Sequence, residues 1–337
     1  MVDTANKQIP ELSIVIPLFN EEDNLAELLR RLTEALLPLG ISYEVVLVND
    51  GSRDSTPRLL DDLAQSDPHI TVIHLSRNFG HQPAVCAGLD HARGNIVMIM
   101  DGDLQDPPEV IPQFIERWRD GYDVVYAVRE KRKEGPLKRL GYFTFYRLLN
   151  LISDLRIPLD SGDFCLLDRC VVDALQSLPE KKRFVRGLRT FVGFRQTGLA
   201  YERAAREAGE PKYTFRSLVG LAIDGLISFS SYPLRLVTYC GLLSAVFALL
   251  LTIWVVCDAF ASQSTPRGWA STIIVILFMS SLQLLSLGIV GEYVRLIFQE
   301  TKGRPTYIVR EIRSATLSQR RPLRETSQLA LFPRSIR

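Results

Sequence analysis

Short apolar runs alternate with amphipathic segments through residues 12–128. The apolar runs predict strands at 12–17, 44–49, 70–75, 96–100 and 123–128. Apolar residues at helical spacing predict helices that begin near residues 25, 54, 83 and 107. This alternation predicts βαβ units and a mostly parallel sheet. The chain has neither G-x-G-x-x-G after its first strand nor G-x-x-x-x-G-K-[ST], so neither phosphate-binding loop is predicted.

The fourth predicted strand ends in two carboxylates, Asp101 and Asp103. Open α/β sheets bind ligands at the carboxyl ends of their strands. Two carboxylates this close repel each other unless a cation lies between them, and they suit Mg²⁺ or Mn²⁺ shared with substrate phosphates. The alternative is an ordinary Asp-Gly turn. Asp106 follows as the predicted N-cap of the next helix, with Pro107 at its first position.

Asp50 ends the second predicted strand, within Asn49-Asp50-Gly51-Ser52. At this position its carboxylate can hydrogen-bond a ribose or a base, whereas the alternative is an Asx turn. The second acidic site at the end of the fourth strand favours the ligand-binding interpretation.

Two long uncharged segments lie late in the chain, 22 residues at 236–257 and 24 residues at 268–291. Each exceeds the roughly 20 residues that a membrane-spanning helix requires. Segments 138–155 and 215–232 are apolar with basic residues around them, which is typical of interfacial amphipathic helices; a core helix is the alternative for the first.

Basic residues flank the two predicted spans, and the short connecting loop holds one. The flanking residues are Arg216, Arg235, Arg295, Lys302, Arg304, Arg310 and Arg313. The positive-inside rule therefore predicts an integral membrane protein with the α/β domain and both termini in the cytoplasm.

Overall composition excludes several classes. The formal net charge of +2 does not favour nucleic acid as a partner. The five cysteines lack paired metal-binding spacing and the four histidines form no H-E-x-x-H, so a zinc enzyme is not predicted. Residues 1–10 are polar, so no signal peptide is predicted.

Three motifs carry a family resemblance: 16–21 (IPLFNE), 48–52 (VNDGS) and 100–106 (MDGDLQD). Together they resemble glycosyltransferase family 2, which has the Rossmann-like GT-A fold. The order of segments over about residues 10–313 is similar to the polyprenyl-phosphate glycosyltransferases. That group includes dolichyl-phosphate mannose synthase and two-span bacterial undecaprenyl-phosphate glucosyltransferases.

The resemblance implies roles for particular residues. Asp101, Asp103 and Gln105 would hold Mg²⁺ or Mn²⁺, while Pro17, Phe19, Glu21 and Asp50 would line the nucleotide. Asp103 and Asp163 are the candidate catalytic residues; Asp160 competes with Asp163, but a turn role suits Asp160 better. Arg129, Lys138, Arg206 and Lys212 are candidates for the diphosphate and the lipid phosphate. A plain solvated loop is the alternative for the segment that holds Arg206 and Lys212.

The implied function is transfer of a sugar, with inversion, from a nucleotide sugar to a polyprenyl phosphate. UDP-glucose and undecaprenyl phosphate are favoured; GDP-mannose or a modified UDP-sugar is the alternative. A processive polysaccharide synthase is disfavoured because the chain lacks a Gln-x-x-Arg-Trp block. A non-catalytic scaffold or flippase subunit is disfavoured because the acidic motif is intact.

The predicted organisation has three parts: a catalytic domain at 1–232, a transmembrane hairpin at 233–298 and a cytoplasmic strand and tail at 299–337. Residues 306–312 alternate like a strand that adds to a sheet edge, for which a neighbouring subunit is one candidate, and this favours a homo-oligomer. Residues 314–337 are polar and predict disorder.

Overall fold

The computed structural model describes residues 9–129, 161–180, 183–201, 232–261 and 268–315. The chain divides into two compact units. One unit contains a sheet and the helices that cover it, together with the C-terminal strand. The other contains two long helices.

Strands and helices alternate through the first five strands as the sequence predicts. The strands are β1 Leu12–Leu18, β2 Tyr43–Asn49, β3 Ile70–Leu75, β4 Ile96–Ile99, β5 Val124–Arg129, β6 Ser161–Asp168, β7 Gln196–Tyr201 and β8 Val309–Ser314. The helices are α1 Leu25–Leu36, α2 Thr56–Ser66, α3 His81–His91, α4 Ile111–Arg119, α5 Arg169–Ser177 and α6 Val185–Phe191. Short 3-10 helices lie at Leu37–Leu39 and Pro108–Val110. Strands β6 and β7 and helices α5 and α6 are not among the predicted elements.

The strands form one sheet in the order β7-β5-β6-β4-β1-β2-β3-β8. Its centre, β3-β2-β1-β4, is parallel. Strand β6 runs antiparallel to both β4 and β5, and β8 runs antiparallel to β3. The predicted α/β fold with a mostly parallel sheet is confirmed.

The central strands are buried on both faces because helices cover the sheet from both sides. All seven residues of β1 are buried. Its even-numbered side chains Leu12, Ile14 and Ile16 belong to a core with α1, α2 and α4. Val15 points to the opposite core, which α3, α5 and α6 cover. This two-sided burial explains why the strands are continuous apolar runs rather than alternating ones.

The start of the helix after β4 differs from the prediction. Asp106 does not cap it: this side chain is 1% exposed and accepts a hydrogen bond of 2.5 Å from the hydroxyl of Tyr201 in β7. The chain instead passes through the 3-10 turn Pro108–Val110 before α4 begins. Asp106 therefore joins β7 to the loop after β4.

The C-terminal strand lies slightly later than predicted, and its partner is in the same chain. β8 pairs with β3, with Ile312 opposite Ile73 and Glu311 opposite His74. The edge that β8 fills is therefore that of its own sheet, and the strand gives no support for a neighbouring subunit.

The second unit contains helices α7 Tyr232–Ala261 and α8 Trp269–Thr301, which contact each other. α8 continues past residue 298, where the sequence predicts the apolar hairpin to end. By length and composition, one described helical stretch, Phe278–Thr301, is suited to cross a membrane. It overlaps the predicted second span, 268–291, and both lie within α8 apart from residue 268. The predicted interfacial segments 138–155 and 215–231 lie outside the described residues.

Candidate active site

The predicted site residues meet at one edge of the sheet. β1, β2 and β4 are parallel, so their carboxyl ends lie at the same edge. Phe19, Asp50 and Asp101 each follow one of these strands directly or within two residues. Because β5 runs in the same direction as β4, Arg129 at its end belongs to this edge too. The side chain of Arg129 and the whole of Lys138, Arg206 and Lys212 lie outside the described residues.

Asp163 reaches the same edge through the antiparallel pairing of β4 with β6. The register sets Ile99 opposite Cys165. Asp101 lies two residues after Ile99, and Asp163 lies two residues before Cys165 in the antiparallel strand, so both acids belong to the same end of the β4–β6 pair. The preference for Asp163 over Asp160 stays a prediction, since Asp160 lies outside the described residues.

His81, the first residue of α3, lies between these two acids. Its Nε2 is 3.4 Å from Oδ2 of Asp163 and 3.6 Å from Oδ1 of Asp101. Burial opposes the charged imidazole, but contact with Asp163 and the charge of Asp101 prevail and raise the pKa of His81 to about 9. At neutral pH His81 is therefore a cation at the centre of the acidic edge.

Two further side chains hold Asp163. The guanidinium of Arg186, in α6, is 3.4 Å from Oδ1, and Nε2 of Gln82 donates to Oδ2 at 3.1 Å. Gln82 in turn accepts the backbone N–H of Val185 at 3.0 Å, which joins α3 to α6. Burial alone would raise the pKa of Asp163, but His81 and Arg186 hold it well below its usual range. Asp163 is therefore a fixed anion and a poor proton acceptor.

His81, Gln82 and Arg186 are not among the residues that the sequence singles out. His81 and Gln82 are adjacent but lie far in the chain from Arg186, and the register of β6 and the packing of α3 against α6 bring all three to Asp163. The available signal is positional: His81 opens a helix close after β3, at the same edge as the predicted acids.

Asp50 organises the loop between β3 and α3. Its two carboxylate oxygens accept the backbone N–H groups of Phe79 at 2.7 Å and Gly80 at 2.9 Å. Gly51 has a φ of +67°, and a Cβ there would lie 2.5 Å from the backbone nitrogen of Asn78. This close approach requires glycine. Both oxygens of Asp50 therefore hold the loop before α3, and the role of Asp50 in ligand binding stays a prediction.

Backbone strain concentrates in the loops of this edge. In the described part of the chain, the non-glycine residues with positive φ are Asn20 at 54° and Leu104 at 58°. Asn20 follows β1 and Leu104 follows Asp103. Such conformations cost about 1–3 kcal/mol each and cluster at functional sites. Glu21, next to Asn20, accepts a hydrogen bond from the Asn24 side chain at 2.7 Å.

The acidic edge fits a divalent ion that a substrate helps to bind. Burial raises the pKa of Asp101 to about 6, against the charge of His81, and the neighbouring carboxylates of Asp106, Asp163 and Asp103 add to the rise. The described residues contain no group of three or more His, Cys, Asp or Glu side chains arranged to hold a metal. Mg²⁺ sites completed by substrate phosphates need only one or two carboxylates. Asp101 and Asp103 supply two, and the backbone N–H of Gln105 orients Asp103 at 3.2 Å.

Comparison with known proteins gives consistent relatives. The model of the family described as Glycosyl transferase family 2 matches residues 13–175. An uncharacterized glycosyltransferase of Synechocystis sp. is 44% identical over 90% of this chain and 95% of its own length. A prophage bactoprenol glucosyl transferase homolog of Escherichia coli is 40% identical over 90% of this chain and 99% of its own length. Among solved structures, glucosyl-3-phosphoglycerate synthase from Mycobacterium tuberculosis, in complex with Mn²⁺, UDP and glucosyl-3-phosphoglycerate, has a TM-score of 0.47 at 18% identity, covering 65% of this chain and 79% of that one.

Proposed function

Because the chain belongs to glycosyl transferase family 2, we propose that it transfers glucose from UDP-glucose to a polyprenyl phosphate. The observation that carries this proposal is the similarity to proteins named bactoprenol glucosyl transferase. Those from Shigella phages SfII and SfV are each 41% identical and are covered over 98% of their length. Similarity over whole proteins favours a shared reaction over a shared fold alone.

The donor would lie across the carboxyl ends of β1, β2 and β4. Pro17, Phe19, Glu21 and Asp50 line the nucleotide, and Asp101, Asp103 and Gln105 would hold Mg²⁺ or Mn²⁺. When bound, this ion neutralises the negative charge of the leaving diphosphate. Arg129, Lys138, Arg206 and Lys212 are assigned to the diphosphate and to the lipid phosphate. The raised pKa of Asp101 supports the assignment, because crowded carboxylates favour a nearby cation.

The acceptor needs little help to react. A phosphate monoester is largely dianionic at neutral pH, since its second pKa is about 6. One of its oxygens attacks the anomeric carbon in line, the bond to the donor diphosphate breaks, and the electron pair leaves with the nucleoside diphosphate. The configuration inverts in this single displacement. Asp163, held ionised by His81 and Arg186, orients the sugar rather than taking a proton.

A lipid acceptor explains the two long helices. α7 and α8 expose large apolar side chains, among them Leu243, Trp254 and Leu284. Apolar surface of this extent indicates contact with lipid or with another protein. We assign α7 and α8 to a transmembrane hairpin in the cell inner membrane, with the catalytic unit and both termini cytoplasmic. Segments 138–155 and 215–232 would then lie at the interface, where the lipid phosphate is presented.

The test is a transfer assay with the full chain in liposomes that contain undecaprenyl phosphate. Radiolabelled UDP-glucose, UDP-N-acetylglucosamine and GDP-mannose are supplied separately, and the lipid fraction is extracted. We expect label in the lipid with UDP-glucose and none in excess EDTA. Transfer from GDP-mannose alone would replace the proposed donor. Absence of labelled lipid with all three donors would contradict the proposed class of reaction, and full activity in EDTA would exclude a dissociable metal.

A further inference from the structure

The C-terminal strand is bound to the catalytic unit at several points. Besides its pairing with β3, the backbone N–H of Ser76 donates to the carbonyl of Ile308 at 2.9 Å. The hydroxyl of Tyr307 donates to the carboxylate of Asp90 in α3 at 2.6 Å. The segment that follows α8 in the sequence is therefore an integral part of the sheet unit.

Arg313 of β8 reaches across β3 to helix α2. Its Nε donates to Oδ1 of Asp61 at 3.0 Å, and Nη2 contacts Glu311 at 3.1 Å. The same oxygen of Asp61 lies 3.1 Å from Nε2 of His74 in β3. Asp61 thus bridges the C-terminal strand to a buried histidine, which is 5% exposed.

From His74 the contacts continue to the loop that holds Asp50. Nδ2 of Asn49 lies 2.9 Å from Nδ1 of His74, and Oδ1 of Asn49 accepts the backbone N–H of Ser52 at 2.9 Å. The hydroxyl of Ser52 then accepts the backbone N–H of Asn20 at 3.0 Å. We call Arg313, Asp61, His74, Asn49 and Ser52 the Arg313 network.

The protons of the Arg313 network have one consistent arrangement. Asn49 uses its carbonyl oxygen for Ser52, so its amide group donates to Nδ1 of His74. Nδ1 must then be an acceptor, and the remaining proton on Nε2 is donated to Asp61. His74 is therefore neutral, in keeping with burial, which lowers its pKa. Each bond fixes the direction of the next. At the end of the network, Arg313 donates to the carboxylate of Asp61.

We propose that Arg313 is a positioning residue for the donor site, acting through Asp61, His74 and Asn49 on the loop Asn49–Ser52. This loop contains Asp50 and contacts Asn20, so its position determines how the nucleotide binds. The inference rests on the proposed function, because it assigns the loop to nucleotide binding. It implies that the donor site is complete only when the chain beyond the second long helix has docked on β3.

A pocket beside the network makes the proposal testable without unfolding. Its volume is about 330 Å³, and Asn49, Ser52, Asp61, His74 and Arg313 are among its lining residues. Arg313 is 36% exposed. Replacing it leaves space for water rather than a void in the core, so Arg313→Gln and Arg313→Lys are expected to fold.

The experiment uses the full chain and compares Arg313→Gln with two controls on the same segment. Tyr307→Phe removes a docking bond outside the network, and Arg310→Gln removes a neighbouring exposed charge. Hydrogen exchange of the peptide spanning residues 47–56 reports loop order, and calorimetry reports UDP and GDP affinity. For Arg313→Gln we expect faster exchange in this peptide and about tenfold weaker UDP binding, the change that corresponds to about 1.4 kcal/mol. The KM for UDP-glucose should rise accordingly while kcat and the KM for the lipid stay within about twofold, and Arg313→Lys should recover part of the loss.

The outcomes separate the two proposals. Unchanged exchange, or faster exchange with unchanged UDP affinity, would overturn the positioning role. Equal losses in Arg313→Gln and Tyr307→Phe would reduce Arg313 to strand docking and would overturn it too. If the wild-type chain bound neither UDP nor GDP, the proposed function would fail first, and the positioning role would fall with it.

Discussion

Acidic side chains lie at both ends of the central strands, and their surroundings differ. We call the amino ends of these strands the amino edge and their carboxyl ends the carboxyl edge. At the amino edge, Glu44 is 4% exposed and its carboxylate accepts hydrogen bonds from the Ser13 hydroxyl at 2.6 Å and from the Arg93 backbone N–H at 2.7 Å. The Arg93 side chain adds a bond from Nε at 2.9 Å. Both oxygens of the Glu44 carboxylate therefore accept hydrogen bonds from donors within the fold.

At the carboxyl edge the acids are crowded instead. Asp101 and Asp163 both approach His81, at 3.6 Å and 3.4 Å, and the charges of Asp163 and Asp103 act on Asp101. Oδ1 of Asp163 is buried and has no hydrogen-bond partner within the described part of the chain, although Arg186 forms an ion pair with it at 3.4 Å. A fold can satisfy a buried acid, as Glu44 demonstrates, so incomplete satisfaction at the other edge indicates a site built for a ligand.

The largest expected effect is that of Asp103→Asn. It removes a charge at the ligand edge without disturbing the core, so we expect transfer to fall by about a hundredfold or more with an unchanged melting temperature. Asp120→Asn is the matched control, since Asp120 is an exposed acid after α4 that pairs with Arg117 at 3.9 Å. Comparable transfer by both variants would remove the functional distinction between the edges.

Arg186→Gln should have the next largest effect. Asp163 then loses one of its two cationic neighbours, and we expect kcat to fall by about tenfold, the usual worth of a charge-assisted contact. Arg195→Gln serves as the control, because Arg195 lies 5.4 Å from the ring of Tyr122 at the amino edge. If Arg186→Gln has the wild-type kcat, then the contact with His81 is sufficient to hold Asp163.

Glu44→Gln should give the opposite pattern. The amide cannot accept all the bonds that the carboxylate accepts, so we expect the free energy of unfolding to fall by about 2 kcal/mol with kcat within about twofold. Thermal unfolding and the transfer assay together measure this. If activity fell more than stability, the amino edge would have a function of its own.

The smallest expected effect is a pH dependence of stability at His81. Its pKa is raised to about 9 in the folded protein, against about 6.5 when unperturbed. The stabilisation from the charged imidazole is therefore fully present below about pH 6.5 and is lost as the pH rises through about 9. Melting temperatures in EDTA from pH 6 to 10 should show the gap between wild type and His81→Gln narrowing from about pH 6.5 upward and closing by about pH 9. A constant gap would show that His81 acts by packing alone.

Local pattern is sufficient to predict strands β1 to β5 because they are apolar runs that end in turn residues, but it does not predict β6 and β7. The acids at Asp50, Asp101 and Asp103 are predictable for the same reason: each follows a recognisable strand. His81 and Arg186 escape prediction because their roles depend on the register of β6 and the packing of α6. Asp106 fits a helix cap in the sequence, yet Tyr201, far along the chain, determines its actual bond.

The placement of β8 is predictable only in part. Its alternating pattern indicates an edge strand, but no local feature identifies β3 as its partner. This has a consequence for truncated variants. A protein that ends after Tyr232 lacks β8 as well as the long helices. Loss of nucleotide binding in such a fragment would report on the missing strand and not on the membrane.

Strand β8 also dictates an order of events at the ribosome. Until residues 309–314 emerge, the outer edge of β3 has unpaired N–H and C=O groups. Both apolar helices precede β8 in synthesis, so they leave the ribosome while the sheet is still one strand short. The sheet is therefore completed only after both long helices have been made.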